Sequence, residues 1–144
     1  MSKQLDQLAF SFFKLFAQYE SNLKEKGFFQ ANGKKINVDW DRFANEVIGN
    51  SFLEDLGDKA QYAEFILSEP PKRQVANEDN QIIWQDVANN DKSVQSLFGH
   101  ITRVRNNLYH GAKFNGTWFD PQRSKDLIEA SVIILRHYED CIRN

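Results

Sequence analysis

From Leu5 to Leu23 the apolar residues return every three or four positions: Leu5, Leu8, Ala9, Phe12, Leu15, Phe16, Tyr19 and Leu23. That is the helical period, held over more than five turns. Gly27 offers a stop behind Lys24 and Lys26, cations that suit a helix C-terminus. Phe10 and Phe13 widen the apolar face, so the helix is either central to a bundle or presents its extra face to a second protomer. A chain of 144 residues with 41% hydrophobic and 13% aromatic content can close one core, and only three Pro leave room for further long helices.

The rest of the chain repeats the pattern with interruptions. Residues 28–37, with Asn32-Gly33, read as a turn or loop. Asp39 is an N-cap for a helix that carries Trp40, Phe43, Ala44, Val47 and Ile48 inward. Gly49 and Gly57 isolate residues 51–56 as a short separate turn, and a helix from Asp58 to Ser68 ends at Pro70-Pro71. Residues 73–84 place a polar Asn77–Asn80 turn between two short segments and predict a small β-hairpin. Asp91 is the predicted N-cap of a helix with Val94, Leu97, Phe98, Ile101, Val104 and Leu108 on one face, ending near His110 ahead of Gly111. Residues 112–119 read as a loop turning at Asn115-Gly116. Asp120-Pro121 then starts a last helix lined by Leu127, Ile128, Ile134, Leu135, Tyr138 and Ile142. Two capped helices joined by so short a connection predict an antiparallel pair.

Charge and cysteine content narrow the function classes. Net charge is −2 and the pI about 5.9, so overall charge does not point to nucleic acid. Its distribution is uneven. Residues 1–100 carry eleven Lys/Arg against fifteen Asp/Glu, whereas residues 101–144 carry seven against five. Cys141 is the only cysteine, which excludes an intrachain disulfide and suits a reducing compartment. On the last helix it reads as a buried small hydrophobe. Neither a signal peptide nor an apolar run of membrane-spanning length is visible, and the expectation is a soluble cytoplasmic protein without a membrane partner.

The stretch that carries chemistry is Arg103–Lys113, RVRNNLYHGAK. It holds Arg103, Arg105, His110 and Lys113 without an acid. At ~100° per residue, Arg105 lies at the edge of the buried stripe, while Arg103, Asn106 and His110 share a neighbouring outward face spanning about 60°. An arginine can grip non-bridging phosphate oxygens and oppose the charge that grows in a transition state. A histidine near its ordinary pKa can move a proton to or from a ribose hydroxyl, and an asparagine can orient either group. His100, His110 and His137 are scattered, and no carboxylates cluster at ligand spacing, so a metal or cofactor is not expected. The same residues also fit a structural account: cations favour a helix C-terminus, and an arginine stem can pack at the core edge while its head reaches water. His100 and His137 read as solvated or core-edge histidines, and Trp84 and Trp118 as core or loop anchors.

Arg105-Asn106-x-x-x-His110 resembles the signature of the HEPN superfamily, where Arg and His lie near the end of a helix in an α-helical bundle. A chance match in a chain of this length is about one in a hundred or rarer. The resemblance runs from about Asp91 to Ile142, and its look is that of small stand-alone bacterial HEPN proteins from plasmids and defence loci. It implies an all-α, HEPN-like bundle of about four to five helices over residues 1–144, with the small hairpin as an addition. It further implies a homodimer whose two motifs meet in one composite site, and a metal-independent endoribonuclease leaving a 2′,3′-cyclic phosphate. Such an enzyme would be a toxin or phage-defence effector, with RNA as substrate and an antitoxin protein as a candidate partner. By position, Arg105 would stabilise the phosphate, His110 would transfer protons and Asn106 would assist. Arg103 and Lys113 are added from charge and placement as RNA-phosphate contacts. HEPN toxins paired with nucleotidyltransferase antitoxins often carry Tyr two residues after the His. Here that position is Ala112, which argues against such a partner. The alternatives are a non-catalytic RNA- or nucleotide-binding module and a structural partner subunit.

Overall fold

The structure is a computed structural model that describes residues 2–109, 113–114, 117–118 and 120–143. It is mostly helical: α1 (Ser2–Glu25), α2 (Trp40–Phe43), α3 (Phe52–Leu56), α4 (Ala60–Ser68), α5 (Val94–Tyr109) and α6 (Pro121–His137). Three antiparallel hairpins interrupt the helices: β1 (Phe29–Asn32) with β2 (Lys35–Val38), β3 (Arg73–Ala76) with β4 (Ile82–Gln85), and β5 (Lys113–Phe114) with β6 (Thr117–Trp118). Among the described residues, no helix is long and apolar enough to cross a membrane.

The α1 stripe buries Leu5, Ala9, Phe12, Leu15, Phe16, Tyr19 and Leu23 as its spacing demands. Gly27, at φ +90°, ends the helix. Its N–H bonds Lys24 O, and the Phe28 N–H bonds Leu23 O, the paired bonds of a Schellman cap. Phe10 is 71% exposed, so the apolar face is wider than the core requires.

The loop expected at residues 28–37 is instead the β1–β2 hairpin, with Phe29 opposite Val38 and Asn32 opposite Lys35. Gly33 supplies the positive φ (+66°) at the first of the two turn residues, which matches the twist of the strands. Exposed, short strands give little hydrophobic alternation to read, which hides the pairing from sequence.

Asp39 caps α2 by accepting from the Arg42 N–H. The helix then widens over Ala44–Ile48, where the Gly49 N–H reaches back five residues to Ala44 O. The wider turn keeps Phe43, Ala44 and Ile48 buried but rotates Val47 outward to 38% exposure, against the regular helical expectation. Residues 52–56 form a short helix rather than a turn, and the helix expected from Asp58 begins at Ala60 after a single tight turn.

The predicted hairpin is present, with Arg73 opposite Gln85 and Ala76 opposite Ile82. Asn77 builds its turn, accepting through Oδ1 from the N–H groups of Asp79 and Gln81 at 2.9 Å each. The N-terminus of α5 is capped by Ser93, whose Oγ accepts from the Ser96 N–H, while Asp91 acts one step earlier by accepting from the Ser93 N–H. The predicted cap was therefore two residues early. Asp120 does cap α6, accepting from the Arg123 N–H, with Pro121 in the first turn.

One hydrophobic cluster draws on every helix. Its centre is aromatic: Trp40 lies near-parallel to both Phe98 and Tyr19, and Phe43 meets Phe98 edge-on at 5.5 Å. The Tyr19 hydroxyl, fully buried, donates to Leu135 O in the last turn of α6, satisfying a carbonyl the helix leaves unpaired. α6 packs chiefly on α1 and α4 and only lightly on α5, so the last two helices are neighbours in sequence more than in packing. Cys141, expected to be buried, is exposed because the α-helix ends at His137 and a tight turn carries it outward.

Candidate functional site

α5 buries Val94, Leu97, Phe98, Ile101 and Val104, which fixes the rotation of its C-terminal half. Arg105, one residue past the stripe, emerges at the core edge on the α1 side, as the helical geometry predicts. Its guanidinium lies 5.7 Å from the centre of the Phe16 ring, and Nη2 is 3.8 Å from Glu20 Oε1. Phe16 and Glu20 are one turn apart on α1 and present a joint seat. Arg105 Nη1 also donates to Asn106 Oδ1 at 3.1 Å. About a third of the Arg105 side chain, 32%, remains exposed. Arg105 and Asn106 are therefore brought together, with the asparagine oxygen accepting from the arginine.

His110 lies outside the described residues, and α5 is described up to Tyr109, one residue before it. Lys113 is described as the first residue of β5, in register with Trp118; its side chain lies outside the described part. The loop expected at 112–119 thus contains a short strand pair, while its Asn115-Gly116 turn falls on residues outside the description.

Arg103, like Asn106, is partly buried, with Nη1 3.4 Å from His100 Nδ1, one turn earlier on α5. The β3–β4 hairpin covers this flank: Asn107 Nδ2 donates to Lys72 O at 2.8 Å, just ahead of β3. Burial, followed by the like charge of Arg73, lowers the pKa of Arg103. The hairpin thus brings Arg73 within electrostatic reach of Arg103, a pairing that the sequence spacing of α5 does not contain.

His100 is at the core edge, 8% exposed. Burial first, then Arg103, holds its pKa below the ordinary histidine value, which keeps the ring neutral. His137 Nδ1 lies 3.3 Å from Lys59 Nζ, and its ring meets Tyr138 edge-on. Among the described residues, no group of three or more His, Cys, Asp and Glu is placed to hold a metal ion. Glu20 was not singled out in the sequence, because nothing local relates an acid on the first helix to an arginine eighty-five residues later.

No protein-family model matches the chain, and it matches no curated protein and no solved structure.

Proposed function

We propose that the chain is a metal-independent endoribonuclease of HEPN type, acting as a homodimer and serving as a toxin or phage-defence effector. The observation that carries this reading is the Arg105–Asn106 pair. The arginine is seated on Phe16 and Glu20, bonded to the amide beside it and still one-third open to solvent, within the final turns of α5. A seated, partly exposed guanidinium can meet a phosphate at little further cost in side-chain ordering. Arg73 and Arg103 on the neighbouring flank add positive potential for a polyanion.

In this reading Arg105 neutralises the charge that builds on the non-bridging oxygens. His110 takes the 2′-hydroxyl proton or protonates the leaving 5′ oxygen. The 2′ oxygen bonds to phosphorus as the bond to the 5′ oxygen breaks, giving a 2′,3′-cyclic phosphate and a 5′-hydroxyl. One histidine cannot readily serve both oxygens at opposite sides of the phosphorus, so a second copy would supply the other. Expression of wild type beside Arg105→Ala and His110→Ala tests this. Growth arrest and RNA decay confined to wild type are expected, and equal growth with intact RNA in all three would overturn it.

The Glu20 contact favours a second reading. An arginine already facing a carboxylate also fits a non-catalytic module that binds RNA or a nucleotide. Salt-sensitive RNA binding with no cyclic-phosphate product would select that reading.

A further inference from the structure

Three contacts of the Arg105 guanidinium differ in firmness. The bond from Nη1 to Asn106 Oδ1, at 3.1 Å, has ordinary hydrogen-bond length and orients the fork. The Phe16 ring, 5.7 Å from Cζ, belongs to a core residue held by close packing. The Glu20 contact is looser. Its Oε1 stands 3.8 Å from Nη2, beyond hydrogen-bond range, on a side chain that is 30% exposed. Among the described residues, the Glu20 carboxylate accepts no hydrogen bond and meets no second cation.

Helix geometry explains why this contact can open. Glu20 follows the buried Phe16 by one turn of α1, so the core fixes its backbone while its side chain reaches along the surface. Turning that side chain outward gives up one long, partly exposed ion pair and leaves Arg105 against Phe16 and Asn106. The chemistry explains what would open it. A carboxylate and a phosphodiester each offer an arginine fork two oxygens that share one negative charge. Two such anions at one guanidinium repel each other, so they compete for it. A competitor on the same chain acts at a high effective concentration and lowers the affinity of the arginine for an external anion.

We propose that Glu20 is an internal stand-in for RNA phosphate at Arg105, which the incoming phosphodiester displaces. The inference rests on the RNA-directed reading above. In the empty protein Glu20 offsets the charge of Arg105. When RNA arrives, the carboxylate swings into solvent and a non-bridging phosphate oxygen takes its place beside Nη2. Glu20 thereby sets the affinity of the Arg105–Asn106 corner for the backbone.

A short 2′-O-methyl oligoribonucleotide, which cannot be cut through its 2′ oxygen, separates this claim from the cleavage claim. Its affinity is measured over a salt series for wild type, Glu20→Gln, Arg105→Gln and the double variant, with thermal melts to establish folding. Glu20→Gln should bind about two- to fivefold more tightly than wild type, the coupling of one partly exposed ion pair. Its log–log salt slope should steepen by up to about 0.7, because Arg105 then neutralises a backbone phosphate in full. Its Tm should fall by only about 2 °C. In the Arg105→Gln background the gain should disappear. Unchanged or weaker binding by folded Glu20→Gln would overturn the inference, while binding by wild type would leave the RNA-directed reading standing. An equal gain in the Arg105→Gln background would also overturn it, since Glu20 would then repel RNA without acting on the arginine. Absence of binding in all four proteins would overturn both. Tighter binding by Glu20→Gln, with unmodified RNA left intact by wild type, would support the stand-in and refute cleavage.

Discussion

Arg105→Gln separates a structural from a catalytic role. The ion pair with Glu20 is long, 3.8 Å, and both side chains are about one-third exposed. Such a pair contributes roughly 0.5 kcal/mol. The guanidinium–Phe16 contact at 5.7 Å adds about 0.5–1 kcal/mol. Loss of these two contacts costs about 1–1.5 kcal/mol, a fall in Tm of about 3–6 °C for a chain of this length, and the partly exposed bond to Asn106 adds a fraction of that. Loss of a donor aimed at developing transition-state charge instead costs on the order of a hundredfold or more in rate. Differential scanning calorimetry and initial rates on a labelled RNA should show a small change in the first and a large one in the second. A Tm drop well beyond 10 °C (about twice the structural sum) with a proportionate loss of folded protein would refute the reasoning, as would an unchanged rate.

His100 is depressed below its ordinary value of 6.5, so the native state binds its proton more weakly than the unfolded chain does. Stability is full above about pH 6.5 and falls as pH drops below it; denaturant midpoints against pH should show that slope, and His100→Gln should remove it. Tyr19→Phe leaves Leu135 O without its buried donor, for an expected loss of about 1–3 kcal/mol read as a lower urea midpoint at constant m-value. Burial raises the Tyr19 phenol above its usual range and, with Asp55 and Cys141, pushes Tyr138 up to about 12, so stability should also decline as pH rises from 10 towards 12. Asp120→Ala removes the α6 cap and should cost about 1 kcal/mol, with Asp120→Asn recovering most of it in thermal melts.

The long helices were legible because burial imposes their period: every stripe residue of α1 and α5 expected inside is buried or packs on the core. The β3–β4 hairpin was legible because Asn77 and its polar neighbours punctuate it. The β1–β2 pair was not, because strands exposed on nearly every residue have no face to alternate. The β5–β6 pair, two residues a side, is too short to alternate at all. Capping was read to within two residues, since Asp91 and Ser93 both carry capping chemistry and only the fold chooses between them. At the candidate site, the helical spacing put Arg105 at the core edge, where it lies. It could not supply the neighbours of Arg103 near β3 or the Glu20 partner of Arg105, which depend on contacts between distant segments.

In the proposed function, Arg105 and His110 cut RNA without a metal. Its most direct test is end-group analysis of RNA incubated with the purified protein in excess chelator. The account predicts fragments ending in 2′,3′-cyclic phosphate and 5′-hydroxyl, formed by wild type and absent with His110→Ala. Intact RNA, or the same fragments from both proteins, would contradict it.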